Sequence, residues 1–286
     1  MSARVVEAPF SEPLARRMDF QPASETRLYW LGQAGFIVEI GGRRIMIDPY
    51  LSDTLATKYA HTPYSHSRLA PAPLVPAEAG DVDLVLCTHH HTDHMDPGTL
   101  APLARRLPNL RFVVPAASAA LARERTKVGD DRLVPIDAGE KVAPLPGIEV
   151  RALPAAHETI ERDESGRCRF LGYVIASGGM TIFHSGDCVP YEGQVEELAR
   201  VGADLALLPA NGRSEALRQA GFAGNFHVVE ALALCLSAGM RAMIAHHYGM
   251  FAFNTVDPAA IDSALAAAPI RAFRARTQVA WTLLLD

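Results

Sequence analysis

The chain has 286 residues, 49% of them hydrophobic and 21% charged, and carries a formal net charge of −5 at pH 7. That length can bury the core of one layered α/β domain, and the mildly acidic balance excludes the basic field that a nucleic-acid backbone selects. Four scattered cysteines, Cys87, Cys168, Cys188 and Cys235, form neither a C-x-x-C pair nor a disulfide framework, so reduced thiols in a cytoplasmic protein are expected. The opening MSARVVEAPFSEPLARRMDF lacks the apolar core of a secretory signal, and no apolar run approaches the roughly 20 residues of a membrane span. Neither export nor membrane insertion is expected.

Residues 1–24 are polar and contain proline, and read as an arm or short helix ahead of a single domain over 25–286. Strand-like runs follow at 27–31, 35–40 and 43–47, separated by Gly32 and by the pair Gly41 and Gly42, which suit the tight turns of an antiparallel sheet. Residues 52–80 show little periodicity; a loop of that length inside a domain is usually functional and is expected to overhang the site. From residue 83 apolar strands alternate with helices: 84–87 with 97–107, then 112–115 with 117–127. Such alternation makes βα units with a largely buried sheet. Strands are expected at 148–153, 170–176 and 180–183, with Gly178 and Gly179 at a hairpin turn. Further alternation runs through 204–208, 227–237, 242–245 and 258–267 to a last strand near 278–284. Two strand-then-helix halves point to two sheets sandwiched between helices.

The segment LVLCTHHHTDHMDP, Leu84 to Pro97, carries the chemistry. An apolar strand runs directly into a histidine-rich loop and a helix start, which places ligands at the carboxyl end of a buried strand, where α/β folds put their sites. In a tight loop His89 and His91 can face one side while Asp93 and His94 turn to another, so the two pairs can serve neighbouring ions. Zinc accepts this nitrogen and oxygen set, as do manganese and iron. His90 sits at a spacer position. Four ligands do not complete two metal sites, and the remainder of the chain offers His157 in LPAAHE, Asp187 in HSGD and His247 in AHHYGMF, each just beyond an expected strand. Singly, each also reads as a satisfied polar residue at a strand end; their recurrence at successive strand ends favours ligands.

The motif THHHTDH, Thr88 to His94, resembles the T-H-x-H-x-D-H signature of the metallo-β-lactamase superfamily, and the resemblance extends over about residues 28–258. Within it the chain is similar to the branch that contains the L-ascorbate-6-phosphate lactonase, through WLGQAGF, IDPYLSD, GD, LLPANGR, GN and HYGMF. This resemblance implies an αββα sandwich, two mixed β-sheets flanked by helices. It assigns His89, His91 and His157 to one metal and Asp93, His94 and His247 to the other, with Asp187 bridging two divalent ions, zinc or manganese, iron also being compatible. It favours His247 over His246 as ligand and leaves His246 as a neighbour or a donor behind the ligands. Asp48 in IDP resembles the buried aspartate that orients the metal loop and fixes imidazole tautomers; a simple turn aspartate is the alternative. Cys188 follows Asp187 but holds no ligand position, and reads as a small buried residue.

Two cations sharing a carboxylate lower the pKa of bound water enough to supply hydroxide near neutrality. The expected reaction is opening of a lactone, a sugar-derived lactone among the candidates, or cleavage of a related carboxylic ester, with Asp93 also carrying a proton to the leaving alkoxide. A dinuclear phosphodiesterase and a non-hydrolytic metal or redox sensor are the alternatives. Asn211, Arg213 and Asn225 are expected on the substrate side, with loop-stabilising hydrogen bonds and a solvated arginine as the other reading. His61, Tyr64, His66 and Arg68 in the 52–80 loop are within reach of a substrate in this reading, although each taken singly reads as surface. Gly249 and His227 stand where some relatives carry an acidic residue and an amide, differences that bear on the substrate. The partner is a small molecule, with neither nucleic acid nor membrane expected; homo-oligomers are common among such proteins.

Overall fold

The computed structural model describes residues 3–285. The first half of the chain supplies strands β1 (Ala3–Pro9), β2 (Thr26–Gly32), β3 (Gly35–Ile40), β4 (Arg43–Ile47), β5 (Leu84–Leu86), β6 (Arg111–Pro115) and β7 (Leu133–Ile136). The second half supplies β8 (Lys141–Leu145), β9 (Ile148–Pro154), β10 (Leu171–Ser177), β11 (Met180–His184), β12 (Leu205–Pro209), β13 (Ala242–His246), β14 (Arg271–Arg274) and β15 (Val279–Leu285). They build an eight-stranded sheet ordered β1-β15-β2-β3-β4-β5-β6-β7 and a seven-stranded sheet ordered β14-β13-β12-β11-β10-β9-β8. Both sheets are mixed: β2, β3 and β4 are antiparallel while β4 to β7 run parallel, and β8 to β11 are antiparallel while β11 to β14 run parallel.

Helices α1 (Leu14–Met18), α2 (Thr54–Lys58), α3 (Pro97–Arg106) and α4 (Ala119–Thr126) belong to the first half, and α5 (Gln194–Val201), α6 (Glu215–Gln219), α7 (Val228–Ser237) and α8 (Pro258–Ala266) to the second. The period-two rule of a strand separates two cores on the faces of the first sheet. Leu28, Trp30, Phe36, Val38, Ile45, Ile47, Leu84 and Leu86 face the second sheet, packing into one cluster with Tyr173, Ile182, Leu207 and Ile244. The alternate residues Tyr29, Leu31, Ile37, Met46 and Val85 join Leu100 and Leu103 of α3 in a second cluster. Leu198 of α5, Leu234 of α7 and Ile261 of α8 cover the second sheet. The layering is the αββα sandwich of two mixed sheets and flanking helices. No helix among the described residues is long and apolar enough to cross a membrane.

The turns behave as their residues require. Gly41 and Gly42 both adopt positive φ, 58° and 68°, between the paired residues Ile40 and Arg43, which is the twist a two-residue hairpin turn needs. Gly178 and Gly179 do the same between Ser177 and Met180. Four strands depart from the sequence reading. β1 lies in the segment expected to be an arm and pairs antiparallel with β15 over its whole length. β7, β8 and β14 fall where the sequence reading placed no element; each is four or five residues long and lies at a sheet edge, with at least half of its side chains incompletely buried.

Behind α1 the first sheet buries a charge pair. Arg44 and Glu39, on adjacent strands, are 1% and 3% exposed, and the Arg44 Nη2 lies 2.9 Å from Glu39 Oε1. The guanidinium also donates to the carbonyls of Met18, at 3.1 Å, and Phe20, at 2.8 Å, and so ties the end of α1 to the sheet. Removing one partner strands the other charge in the interior. Arg44→Ala is expected to lower unfolding free energy by about 3–5 kcal/mol, read from the urea midpoint; a change inside the range of ordinary surface substitutions would refute this account.

Candidate metal centre

The carboxyl ends of β4, β5, β9, β11 and β13 converge at one edge of the sandwich, and the loops leaving them carry Asp48, the residues 88–94, His157, Asp187 and His247. Asp96 caps α3, its side chain accepting from the backbone N–H of Gly98, with Pro97 at the first helical position. The histidine loop is thus held between a strand end and a capped helix start. Arg125 of α4 donates to the backbone carbonyls of His90 and Met95, closing the loop from outside.

Asp48 organises its interior. One carboxylate oxygen accepts the Thr88 backbone N–H at 2.7 Å; the other accepts the Thr88 hydroxyl at 2.6 Å and faces His94 Nδ1 at 2.7 Å. The Thr88 hydroxyl, having given its proton to Asp48, is an acceptor for His89 Nδ1 at 3.0 Å. Both imidazoles therefore keep a proton on Nδ1 and aim Nε2 inward, so Nε2 is the atom left to a metal. Asp48, expected as the residue that orients the loop, has this geometry. Thr88 is its relay, a role that sequence reasoning did not assign although Thr88 stands first in the signature.

Three groups of side chains bring their donor atoms within 4.8 Å of one another: His89, His91 and His157; His89, His94 and Asp187; and Asp93, His94 and His247. Asp187 stands between them. Its Oδ1 lies 3.0 Å from His247 Nε2 and 3.4 Å from His94 Nε2, and its Oδ2 lies 3.8 Å from His157 Nε2. The buried atoms His89 Nε2, His94 Nε2, His247 Nε2 and Asp187 Oδ1 make no hydrogen bond. Buried polar atoms are normally paired, so an inward-facing set of unpaired nitrogens around a carboxylate fits cations and fits nothing in an apolar core. All seven residues expected as ligands meet here.

Charge follows burial. Desolvation holds His89 well below the ordinary imidazole value, with His94 and His91 adding to the effect, and brings His157 down to about 4. Those rings are neutral donors near pH 7. Burial opposes a charge on His94 as well, but Asp187, Asp48 and Asp93 outweigh it and hold that imidazole well above its usual value. Asp187 is opposed by burial too, and His247 and His94 bring it well below the carboxylate range. The Gln33 side-chain amide donates to Asp93 Oδ2 at 3.0 Å, and the Gln33 carbonyl accepts the backbone N–H of His247 at 2.9 Å. Gln33 thereby links the two halves of the centre, from a turn in which it adopts a positive φ of 49°.

Other expected site residues lie elsewhere. His246 points to the opposite face of β13, its ring 5.3 Å from Phe36 and 5.0 Å from His184, and takes no part in the donor groups. Arg213 forms a bidentate pair with Glu230, at 2.6 and 2.8 Å, and lines no part of the cavity. Asn225 accepts the backbone N–H of Cys188 at 2.8 Å and donates to Asn211 at 3.0 Å, while Asn211 donates to Asn254 at 2.8 Å. These amides brace the backbone beside Asp187 instead of meeting a ligand. Cys188 is buried, its thiol pushed up to about 12 by desolvation. His90 is half-buried at the cavity wall. Phe170, which sequence reasoning passed over, lies flat on His157 with centroids 4.5 Å apart and planes 7° apart, fixing that ring's orientation.

A cavity of about 580 Å³ opens over the centre, with Gln33, His91, Asp93, His157, Asp187 and His247 in its floor. Fold and site together describe a metallohydrolase scaffold. Residues 43–248 match the model of the Beta-lactamase superfamily domain. A UPF0173 metal-dependent hydrolase of Caldivirga maquilingensis is 29% identical over 236 residues, 81% of this chain and 86% of that protein. Among solved structures, a possible metal-dependent hydrolase from Veillonella parvula has a TM-score of 0.70 at 16% identity, over 90% of this chain and 99% of that one. An isothiocyanate hydrolase from Delia radicum gut bacteria has a TM-score of 0.68 at 16% identity, over 87% and 95% of the two chains. The chain belongs to the β-lactamase superfamily, as a metal-dependent hydrolase of the metallo-β-lactamase fold.

The protonation pattern sets an expected outcome for metal loading. Metal-free His94 is protonated at pH 7 because its folded value is raised, and a ligand nitrogen must be bare. Loading with zinc at pH 7 is expected to release about one proton, measured by calorimetry in buffers of different ionisation enthalpy; loading with no proton release would contradict it. Asp48→Ala is expected to weaken zinc binding by about ten- to a hundred-fold in a competition titration with a chromophoric chelator.

Proposed function

We propose that the protein hydrolyses a lactone or a related carboxylic ester, with two divalent ions, zinc or manganese, held by His89, His91, His157, Asp93, His94 and His247 and shared by Asp187. The observation that carries this reading is the placement of the Asp187 carboxylate, one oxygen toward His94 and His247 and the other toward His157. Ions bound there supply Lewis acidity for a carbonyl oxygen and lower the pKa of water toward neutrality.

The chain's own residues do the rest. Asp48 and Thr88 keep His89 and His94 in the Nδ1–H form, so each presents a lone pair and neither ring rotates away. Asp93 is opposed by burial, yet His94 keeps its carboxyl below the usual range, so it is ionised at neutral pH and able to take a proton. The Gln33 amide fixes Asp93 Oδ2 and leaves the other oxygen as the one that accepts the proton and returns it to the departing alkoxide. Water is excluded on the side of the buried histidines and admitted through the cavity. The similarity of WLGQAGF, IDPYLSD and HYGMF to the lactonase branch supports a carbonyl substrate. Four buried free thiols suit a reducing compartment, and we place the enzyme in the cytoplasm on that ground.

Asp187→Ala and His247→Ala are expected to lose both metal, by elemental analysis, and turnover, by at least about a hundred-fold. The test for the reaction class is a panel of lactones, aryl esters, an aryl phosphodiester and an aryl isothiocyanate offered to protein with about two metals per chain. Turnover confined to lactones and esters supports the proposal. Turnover confined to the phosphodiester or the isothiocyanate, or none at all, overturns it.

A further inference from the structure

The cavity over the centre has two unlike walls. His90, Arg125, Glu158 and Glu161 line one; Tyr59, His66, Phe222, Phe251 and Phe253 line the other. The second wall is assembled from three distant segments: the 52–80 loop, the turn after α6 and the loop after β13. Tyr59 and His66 stack with centroids 4.0 Å apart, His66 lies 4.8 Å from both Phe251 and Phe253, and Phe222 lies 4.9 Å from Phe253. Tyr50, Leu55, Met250 and Phe251 form a small cluster separate from both main cores, with Tyr59 and Phe253 packed on it. No sheet requires these rings. Phe222, Phe253 and Tyr59 are only half-buried, and the cavity is where they meet open space.

The five rings carry no charge, and Arg218, which also lines the cavity, is paired with Glu215, its Nε and Nη2 2.9 and 2.8 Å from the carboxylate oxygens. His66 is buried, its Nδ1 is 2.8 Å from the Tyr64 carbonyl, and burial holds its imidazole below the ordinary value, so it stays neutral near pH 7. Lys58 stands at the rim, exposed, with its ammonium 5.1 Å from the Tyr59 ring centroid. A polyhydroxylated ring or a phosphate set against Phe222 and Phe253 would lose its water without gaining partners. An apolar ring there gains edge and stacking contacts and removes apolar surface from water.

Resting on the ester and lactone reading above, we propose that the non-reacting part of the substrate is an aromatic or similarly bulky apolar group seated on the Tyr59, His66, Phe222, Phe251 and Phe253 wall, while its carbonyl lies over the centre. The enzyme is then an aryl or alkyl lactonase or esterase, not a sugar-phosphate lactonase. Discrimination resides in the loops, and the ligands stay common to the fold.

The test uses metal-loaded protein with dihydrocoumarin and D-glucono-δ-lactone as the paired substrates. The expected kcat/KM for dihydrocoumarin exceeds that for gluconolactone by at least about ten-fold. Phe222→Ala and Phe253→Ala, separately, are expected to lower it by about three- to ten-fold through KM and to lower the ratio of dihydrocoumarin to gluconolactone kcat/KM, with metal content retained. Equal or greater activity on gluconolactone, or variants that depress both substrates alike, overturns the inference and leaves the proposed reaction intact. If neither lactone is opened, the reaction assignment falls, and calorimetric binding of 3-phenylpropanoate against gluconate reads the wall alone. Tighter 3-phenylpropanoate binding that weakens in both variants sustains the inference; equal binding, or binding that the variants leave unchanged, overturns it.

Discussion

The buried carboxylate of Asp48 is the constraint on which the centre depends. It sits at the end of β4, adopts a positive φ of 44°, and gathers the Thr88 backbone, the Thr88 hydroxyl and His94 onto two oxygens. Positive φ is uncommon for a residue with a side chain, and aspartate tolerates it better than most. The strain is local and the return is geometric: one group on the first sheet determines where the next strand's loop lies and which nitrogen of two imidazoles faces the cavity. Every other donor is measured against those two rings.

The centre works against folding. Several nitrogens and a carboxylate oxygen lie buried without hydrogen bonds, and each such atom costs about 1–3 kcal/mol. Two large apolar clusters, on either face of the first sheet, offset that cost. Division of labour follows. The sheets supply rigidity, strand ends supply the donors, and longer loops, free of packing duties, supply whatever the substrate meets. Hence the donor geometry is fixed by elements buried on both sides, while the ring wall is held by its own mutual contacts and by the small cluster of Tyr50, Leu55 and Met250.

What the sequence made legible follows the same division. The strand-like apolar runs of β2 to β5 and glycine pairs at two turns were readable because the signals are local. The donors were readable because they recur at strand ends and because the loop order is restrictive; their meeting was not readable from spacing, since His157, Asp187 and His247 arrive from the other sheet. β1 escaped notice because its partner strand lies more than 260 residues away, and an edge strand with alternate polar residues looks like an arm. Arg213 and Asn225 show the converse failure. Their motif placed them near the site, but Glu230 captures one and the backbone of Cys188 the other. Pairings that span 17 and 37 residues of chain leave no mark in a single sequence. The ring wall was invisible for the same reason, its members being scattered over three loops.

The place of β15 in the first sheet has a consequence for synthesis. It lies between β1 and β2, pairing antiparallel with both, so β1 joins the sheet only through β15. During translation Ala3–Pro9 must wait, unpaired, until Val279–Leu285 has emerged, and the edge of β2 waits with it. Contacts of such long sequence separation form late and leave strand edges open to other chains in the interval. The seven-residue strand β15 therefore acts as the fastening of the sheet, and the edges of β1 and β2 are open to other chains until it takes its place.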